Sequence, residues 1–421
     1  MKIFWWLFRR ICRAPFFAGL LAVFLAFDFY LISTGSYQQR EINLVNDVAG
    51  QTGVQINADF QKKFSPILQK YMQDLGSFYR QKTGKSAVKP EAMVQELQNN
   101  EWKMTGDEQN RLDDDAAILQ LDHSVQSRGS TYDGLDFAAE AKDFCSKQKL
   151  SGLPASIIAN NAAILQKRVD EIRSDGEADT LYFPGASCRT HSFLYGKLLK
   201  AILLESAVLG VLIMLYTVNF EFAHGTQGLA YTSRRGRTLL ADQFCAAMLA
   251  GLAVPALLMA VALPAFFASF HFSNLWNASV SSAMNVETEN GFFPCITWSR
   301  MTVLQYLWAN IGLLLALQGV FCLLAFTLAV FCHSSYADFL LYGFAGFVLA
   351  FLPEYLPWNA ALPFFAAANP FTAWNICGSW LARSEPACTY QQYFQTLFVL
   401  WGVVTAILIF FGTRRFRRAD L

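Results

Sequence analysis

Apolar and polar positions divide the chain into long blocks, and six of these blocks are apolar over lengths suited to a bilayer. A hydrocarbon core about 30 Å thick needs about 20 consecutive apolar residues in helical conformation. Such runs cover residues 15–35, 197–219, 238–266, 302–332, 337–353 and 393–412. The pattern predicts an all-α polytopic membrane protein with six transmembrane helices.

Residues 36–195, between the first two apolar runs, have a different composition. This block holds 18 of the 33 basic and 22 of the 32 acidic side chains of the chain. Phe60, Phe64 and Tyr71 recur at the spacing of an amphipathic helix, which Pro66 either interrupts or begins. We therefore expect a large, mainly helical extracytoplasmic domain between the first and second spans.

The basic residues outside this block indicate how the chain crosses the membrane. Eleven of these 15 residues fall in the segments 1–14, 220–237 and 413–421. With six spans the three segments share one side, and an excess of lysine and arginine marks the cytoplasmic side. We expect a multi-pass plasma-membrane protein with both termini in the cytoplasm and residues 36–195 outside.

Two segments flank the spans without crossing the membrane. Residues 1–14 mix aromatic and basic side chains, which predicts a helix lying in the headgroup layer. A positively charged flank that only sets the topology is the alternative. Residues 354–392 are apolar but contain several prolines, so short interfacial or re-entrant helical pieces are expected there. Residues 413–421 form a short cytoplasmic tail.

Ionisable side chains inside the apolar runs are candidates for function, because burying them in a membrane is costly. Asp28 and Glu205 fall in the outer halves of the first and second runs. Two interpretations follow. Either both carboxyls line a polar cavity open to the outside, or they pair with Lys197 or Lys200 as a structural clamp.

Two other pairs of residues are predicted to stabilise the fold. Asn310 and Gln318, in the fourth run, are typical of hydrogen bonds between membrane helices. Cys377 and Cys388 fall on the predicted outer side, where disulfides persist, and they form a candidate disulfide.

The sequence contains no complete catalytic motif. Gly84-Lys85-Ser86 lacks the upstream glycine of a phosphate-binding loop, because Tyr79 occupies that position. The five histidines are dispersed and do not show the spacing of zinc ligands. We expect a non-enzyme with no cofactor or metal of its own and no nucleic acid partner.

The connection between the second and third runs, residues 220–237, carries the features of a known family. Glu221, Gly225-Thr226 and Leu229 precede Ser233 and the cluster Arg234-Arg235-Gly236-Arg237. This stretch resembles the cytoplasmic loop of ABC-2 type transporter permeases. The order of an N-terminal helix, one span, an outer domain and five further spans is also similar to that family.

The resemblance implies a transport subunit whose ATP and Mg are bound by a separate cytoplasmic ATP-binding-cassette ATPase. In such permeases the loop is a coupling helix that sits in a groove of the ATPase, and two permease protomers pair as a homo- or heterodimer in the lipid bilayer. The implied coupling residues are Glu221, Phe222, Gly225, Thr226, Arg234, Arg235 and Arg237. The arginines alone would only set the topology, but the glycines and aromatic residues favour docking of a partner.

The expected function is export of a peptide, antibiotic, lipid or glycan. Two alternatives from other classes are a membrane-anchored receptor or sensor and a cell-envelope scaffold, in which the extracytoplasmic domain binds a ligand or a partner. A receptor needs a cytoplasmic output domain, whereas the predicted tail is only RRFRRADL. Recovery of an ATPase subunit with the chain distinguishes export from both alternatives.

Overall fold

Most of the chain is helical in the computed structural model, which describes residues 2–100, 104–182, 191–233, 236–287, 293–357, 362–384, 388 and 390–418. The first eight helices are α1 (Lys2–Cys12), α2 (Pro15–Thr34), α3 (Gln39–Thr52), α4 (Ala58–Thr83), α5 (Pro90–Gln98), α6 (Gly106–Ser127), α7 (Phe137–Lys147) and α8 (Leu153–Ser174). A π-helical segment, Phe193–Leu198, leads into α9 (Leu199–Val218), which is followed by α10 (Phe220–Ala223), α11 (Gln227–Thr232) and α12 (Leu239–Ser269). Strands β1 (Val286–Glu287) and β2 (Phe293–Pro294) pair antiparallel. The chain continues with α13 (Val303–Cys332), α14 (Ser335–Tyr355), α15 (Leu362–Ala367), α16 (Pro370–Asn375) and α17 (Tyr393–Arg418).

Six of these helices are long and apolar enough to cross a membrane, which confirms the predicted number. They are Pro15–Thr34, Phe193–Val218, Leu239–Ser269, Val303–Cys332, Ser335–Tyr355 and Tyr393–Phe416. Such a set fits a multi-pass membrane protein. Pro66 does not interrupt α4, because the helix starts at the Asn57 cap and runs on through the proline to Thr83.

Gln318 holds the centre of the bundle together. Its Nε2 donates to the carbonyl oxygens of Ser206 on α9, at 2.8 Å, and of Gly251 on α12, at 3.1 Å. A Cβ atom at Gly210 would collide with this amide, so glycine is what allows α9 to come so close. Gln318 therefore forms the predicted bonds between helices, whereas Asn310 donates to Tyr306 within its own helix.

The polar block between the first two apolar helices folds into two helical layers, which we call the inserted domain (residues 36–182). Helices α4, α5 and α6 share one small core, which contains Leu75, Phe78 and Leu112. Helices α7 and α8 share another with Ala283 and Ile296, which come from the connection between α12 and α13. The inserted domain therefore does not complete its own core, and the 270–302 segment contributes to it.

A buried ion pair joins the 270–302 segment to the inserted domain. Arg168 on α8 and Glu177 make two parallel hydrogen bonds of 2.9 Å, and both side chains are buried. Arg168 Nε also donates to the Thr297 carbonyl at 3.0 Å, and Ser279 Oγ donates to Glu177 at 3.0 Å. Buried charges are tolerated when they are paired and hydrogen-bonded in this way. The segment is therefore bound to the inserted domain through two charged side chains that are buried away from water.

The described connections between long helices gather at two opposite ends of the bundle. At one end the inserted domain contacts the 270–302 segment, and Trp298 N donates to the Leu381 carbonyl ahead of α17. At the other end the α9–α12 connection meets the α13–α14 corner and the end of α17 through ring contacts of Phe222 with His333 and Phe416. The N-terminal α1 reaches this second end, where Arg10 lies over Phe220.

Replacing Arg168 by methionine is expected to lower the free energy of unfolding by about 3–5 kcal/mol, because Glu177 then stays buried without its partner. Lys167→Met is the matched control, since Lys167 is exposed and its Nζ lies 3.8 Å from Glu171. Denaturant unfolding of the purified full-length protein measures both. Equal stability of the two variants would show that the pair does not hold the segment.

Asp115 gives the inserted domain a pH-dependent stability. Burial raises the pKa of this side chain from its ordinary value of 3.8 to about 7. The folded state therefore keeps the proton to a higher pH than the unfolded state, so the contribution to stability is fully present below pH 3.8 and is lost as the pH rises towards 7.

Asp115→Asn is expected to remove this loss and to stabilise the protein at pH 8 by at least about 1.4 kcal/mol, the value of one pKa unit. Thermal unfolding midpoints between pH 5 and pH 8 test this, with the exposed Asp170→Asn as control. A wild-type midpoint that rises over this range, in parallel with that of Asp115→Asn, would contradict the assignment.

Candidate functional site

The connection between α9 and α12 is a short helical hairpin with a locked turn. Thr226 Oγ1 donates to the Glu221 carboxylate at 2.6 Å, and Thr226 N donates to the Glu221 carbonyl at 2.9 Å. Gly225 between them has φ +66°, a left-handed conformation that favours glycine. The Glu-Gly-Thr spacing is therefore what closes the turn between α10 and α11.

Aromatic contacts fix the base of this hairpin to three other parts of the chain. The Phe222 ring stacks on His333 at 4.2 Å, at the corner between α13 and α14. Tyr231 meets Phe416 of α17 edge-on at 5.0 Å. The Arg10 guanidinium of α1 lies 3.8 Å from the Phe220 ring centroid. A displacement of the hairpin therefore acts on the ends of several long helices at once.

Arg10 is an unusual cation for this position. All three nitrogens of its guanidinium are buried and lack a hydrogen-bond partner among the residues the structure describes. Burial lowers the pKa of Arg10, and the nearby Tyr216 and Glu221 act in the opposite direction. Its contacts are the rings of Phe220, Trp6 and Tyr216, so cation–π attraction replaces hydrogen bonds here.

Several residues around the turn are open to solvent. Leu229 on α11 is 79% exposed, and His224 and Gly228 are exposed as well. Of the predicted coupling residues, Arg234 and Arg235 lie outside the described residues, and so does the Arg237 side chain. Leu229 lies in α11, three residues beyond Thr226, and its side chain is open to solvent.

Asp28 and Glu205 come together inside the bundle. Asp28 is 1% exposed on α2 and Glu205 is 6% exposed on α9. They lie close enough to interact electrostatically, yet none of their four carboxyl oxygens has a hydrogen-bond partner in the described parts of the chain. Both carboxyls are buried by the described residues, so neither is open to solvent in this structure.

Neither lysine of the alternative interpretation is bonded to Asp28 or Glu205. Lys200 Nζ donates to the carbonyl and side-chain oxygens of Asn375, at 2.8 and 3.1 Å. It also lies 4.9 Å from the Trp374 ring centroid, and Lys197 is exposed. Lys200 thus holds α16 against α9, and the ion pairs of the predicted clamp are not formed.

A cavity of about 270 Å³ lies on another side of α9, between α13, α14 and α16. Its walls are almost entirely apolar, and they include Leu204, Phe321 and Phe371. A Cβ atom at Gly346 would lie 2.5 Å from the Phe371 ring, so this glycine lets α16 approach α14. Neither Asp28 nor Glu205 lines this cavity, so the acids and the apolar space are separate sites.

The candidate disulfide between Cys377 and Cys388 is not formed. Both cysteines are buried, but they have different neighbours. Cys377 lies near Lys200, whereas Cys388 lies near Tyr390 and Tyr393. The two thiols are thus held by separate contacts and are not bonded to each other.

No family model, curated protein or solved structure matches this chain.

Within the described residues no group of three or more histidine, cysteine, aspartate or glutamate side chains could hold a metal ion.

The sequence patterns do not single out several residues of the site. Arg10 and Phe416 lie in the basic segments 1–14 and 413–421, and His333 is one of the dispersed histidines. The signal for Phe416 is a lone aromatic residue inside the basic run RRFRR. Nothing comparable marks His333, since its role depends on a ring contact with a residue more than a hundred positions away.

Asp28→Asn and Glu205→Gln are expected to keep the folding stability within about 1 kcal/mol of the wild type, because no lysine is bonded to either carboxyl and an isolated buried charge is costly. Lys200→Met is expected to lose about 1–3 kcal/mol with its bonds to Asn375. Expression and thermal unfolding of the full-length variants measure this. Failure of Asp28→Asn or Glu205→Gln to fold would restore the clamp interpretation.

Proposed function

We propose that this chain is the membrane-spanning permease subunit of an ATP-binding-cassette transporter and that it exports a peptide, antibiotic, lipid or glycan. The observation that carries the proposal is the 219–233 hairpin. It presents the exposed Leu229 on α11, while Phe220, Phe222 and Tyr231 pack against α1, the α13–α14 corner and α17. This is the geometry that a coupling element requires.

The ATPase is a separate cytoplasmic subunit in this proposal. Leu229 enters an apolar pocket of that subunit, and Arg234, Arg235 and Arg237 offer forked donors to its carboxylates. When ATP binding or hydrolysis moves the ATPase, the hairpin moves with it. The aromatic contacts at its base pass that movement to α13, α14 and α17.

The same arrangement supports a cytoplasmic assignment for this end of the bundle. The basic segments before α2, between α9 and α12 and at the end of α17 belong to elements that meet there. An excess of basic residues marks the cytoplasmic side of a membrane protein. The inserted domain then lies outside the cytoplasm.

The apolar cavity beside α9 is the proposed position for the apolar part of the exported molecule. One of its walls is α14, which carries the exposed rings of Phe344 and Phe347, and Phe347 also lines the cavity. A second protomer paired in the bilayer would cover such a face. In this proposal, export proceeds by alternate packing of the two protomers.

Leu229→Asp is expected to reduce recovery of an ATP-binding-cassette ATPase with the tagged full-length chain at least about tenfold, because a carboxylate is not accepted by an apolar pocket. Affinity purification from native membranes, with mass spectrometry and an ATPase assay, provides the measurement. Leu153→Asp is the matched control, since Leu153 is an exposed leucine of the inserted domain. Recovery of no such ATPase with the wild-type chain would overturn the proposal.

A further inference from the structure

The apolar cavity beside α9 opens at the surface of the membrane-spanning helices. Leu204 on α9 and Gly343 and Phe347 on α14 line the cavity, and all three residues are exposed. Both helices have the length and apolar composition of membrane spans, so this surface faces hydrocarbon chains in a membrane protein. A molecule dissolved in the bilayer therefore reaches the cavity from the side, without passing through water.

The cavity is elongated along the helices. Its lining residues on α14 extend from Phe339 to Phe351, and these twelve steps of about 1.5 Å give a length of about 18 Å. Half of a hydrocarbon core about 30 Å thick is about 15 Å. A length close to that of one leaflet, combined with a volume of about 270 Å³, suits one extended hydrocarbon chain.

The walls of the cavity offer a ligand little except apolar surface. The described lining residues carry no charge, and only two of their side chains contain a polar atom. Tyr342 Oη is buried and does not face the cavity, and Trp374 Nε1 donates to the Lys200 carbonyl at 3.1 Å. A polar ligand group inside the cavity would lack a partner, which is costly, so the cavity selects an apolar chain.

A cation lies at one end of this apolar surface. Lys200 precedes Leu204 by four residues, so the two side chains lie on the same face of α9. Its Nζ is 4.9 Å from the centroid of the Trp374 ring, which lines the cavity. Nζ donates to two oxygens of Asn375, and both are uncharged, so these bonds leave the positive charge in place. The neighbouring Glu205 carboxyl is buried and does not line the cavity.

Two further charged side chains lie near this end. Ser335, at the start of α14, donates to the Leu215 carbonyl near the end of α9 at 3.2 Å, so the last turn of α14 lies beside the start of α9. That turn carries the exposed Glu354, and the π-helical segment before α9 carries the exposed Lys197. Among the described side chains at this end of α9, α14 and α16, two cations thus accompany one anion. Such a balance attracts an anionic group.

We propose that this cavity binds the hydrocarbon chain of an anionic amphiphile from the bilayer, with its phosphate or carboxylate group at Lys200. An ammonium has three donors, so Lys200 can bind an anionic oxygen as well as the two oxygens of Asn375. As the substrate class of the exporter, such an amphiphile rests on the proposed function, whereas the binding itself does not depend on it.

Photolabelling of the purified full-length chain in phosphatidylcholine nanodiscs tests the proposal. The probes are hexadecyl phosphate and hexadecanol, each with a diazirine in the chain, so that they share the chain and differ in the head group. Peptide mass spectrometry locates the label, with α17 as the reference outside the cavity. The alkyl phosphate is expected to label the cavity residues of α9, α14 and α16 at least about fivefold more than the alcohol does.

Gly343→Phe places a ring at the opening and is expected to reduce cavity labelling by the alkyl phosphate at least about fivefold. A Cβ atom at Gly343 meets no atom within 4 Å, and removal of a glycine favours the helix, so this variant is expected to fold. Gly402→Phe is the matched control. Gly402 on α17 is also exposed with no atom within 4 Å of a Cβ, and its variant should label as the wild type does.

Lys200→Gln removes the charge but keeps an amide donor for Asn375, and it is expected to remove the preference for the phosphate. If thermal unfolding shows that this variant does not fold, the comparison of the two probes on the wild type tests the charge by itself. Equal cavity labelling by the two probes, or by Gly343→Phe and Gly402→Phe, would overturn the proposal. Loss of a dimer in Gly343→Phe with unchanged labelling would assign the opening to a second protomer and would overturn it too.

The outcomes for this site and for the proposed function are separable. Recovery of an ATPase with the chain but no cavity labelling would overturn this inference alone. Cavity labelling by the alkyl phosphate without recovery of an ATPase would support the binding site and overturn the proposed function.

Discussion

The arrangement of the inserted domain on the helix bundle depends on the buried pair of Arg168 and Glu177. Neither charge is buried without cost, and each satisfies the other through two parallel hydrogen bonds. Arg168 Nε and a remaining lone pair of Glu177 bind the 270–302 segment. The inserted domain and the connection between α12 and α13 are thereby one unit. The α2, α9, α12 and α13 ends that emerge from this unit are constrained together.

This constraint extends to the last helix through the segment before α17. Arg383 bonds to Glu140 by its side chain and to the Ile296 carbonyl by its backbone N–H. Through Arg383 the approach to α17 therefore contacts both the inserted domain and the 270–302 segment.

The sequence allowed the six apolar helices to be predicted because hydrophobicity over about 20 residues is a local property. The turn of the hairpin could also be predicted from the sequence, since Glu221, Gly225 and Thr226 lie within six positions. Contacts between residues far apart in the sequence could not be predicted. Lys200 bonds to Asn375 and Arg168 bonds to Thr297, and no local pattern selects these residues over other polar groups. The same limit explains why the predicted disulfide was wrong. Cys377 lies near Lys200 because of the fold, and the short separation of Cys377 and Cys388 along the chain does not determine which residues they contact.

Packing within the bundle is uneven, and this determines where a force on the hairpin can have an effect. In the most apolar stretches of Phe193–Val218, Leu239–Ser269 and Val303–Cys332, 72%, 50% and 61% of residues are buried, and Gln318 bonds all three helices together. The corresponding values for Ser335–Tyr355 and Tyr393–Phe416 are 17% and 11%. Phe222 and Tyr231 connect the hairpin to the ends of these two peripheral helices, while α9 and α12 continue from it into the buried centre. The hairpin therefore contacts both the buried centre and the peripheral helices, so in the proposed transporter a push at Leu229 would act on α14 and α17 as well as on that centre.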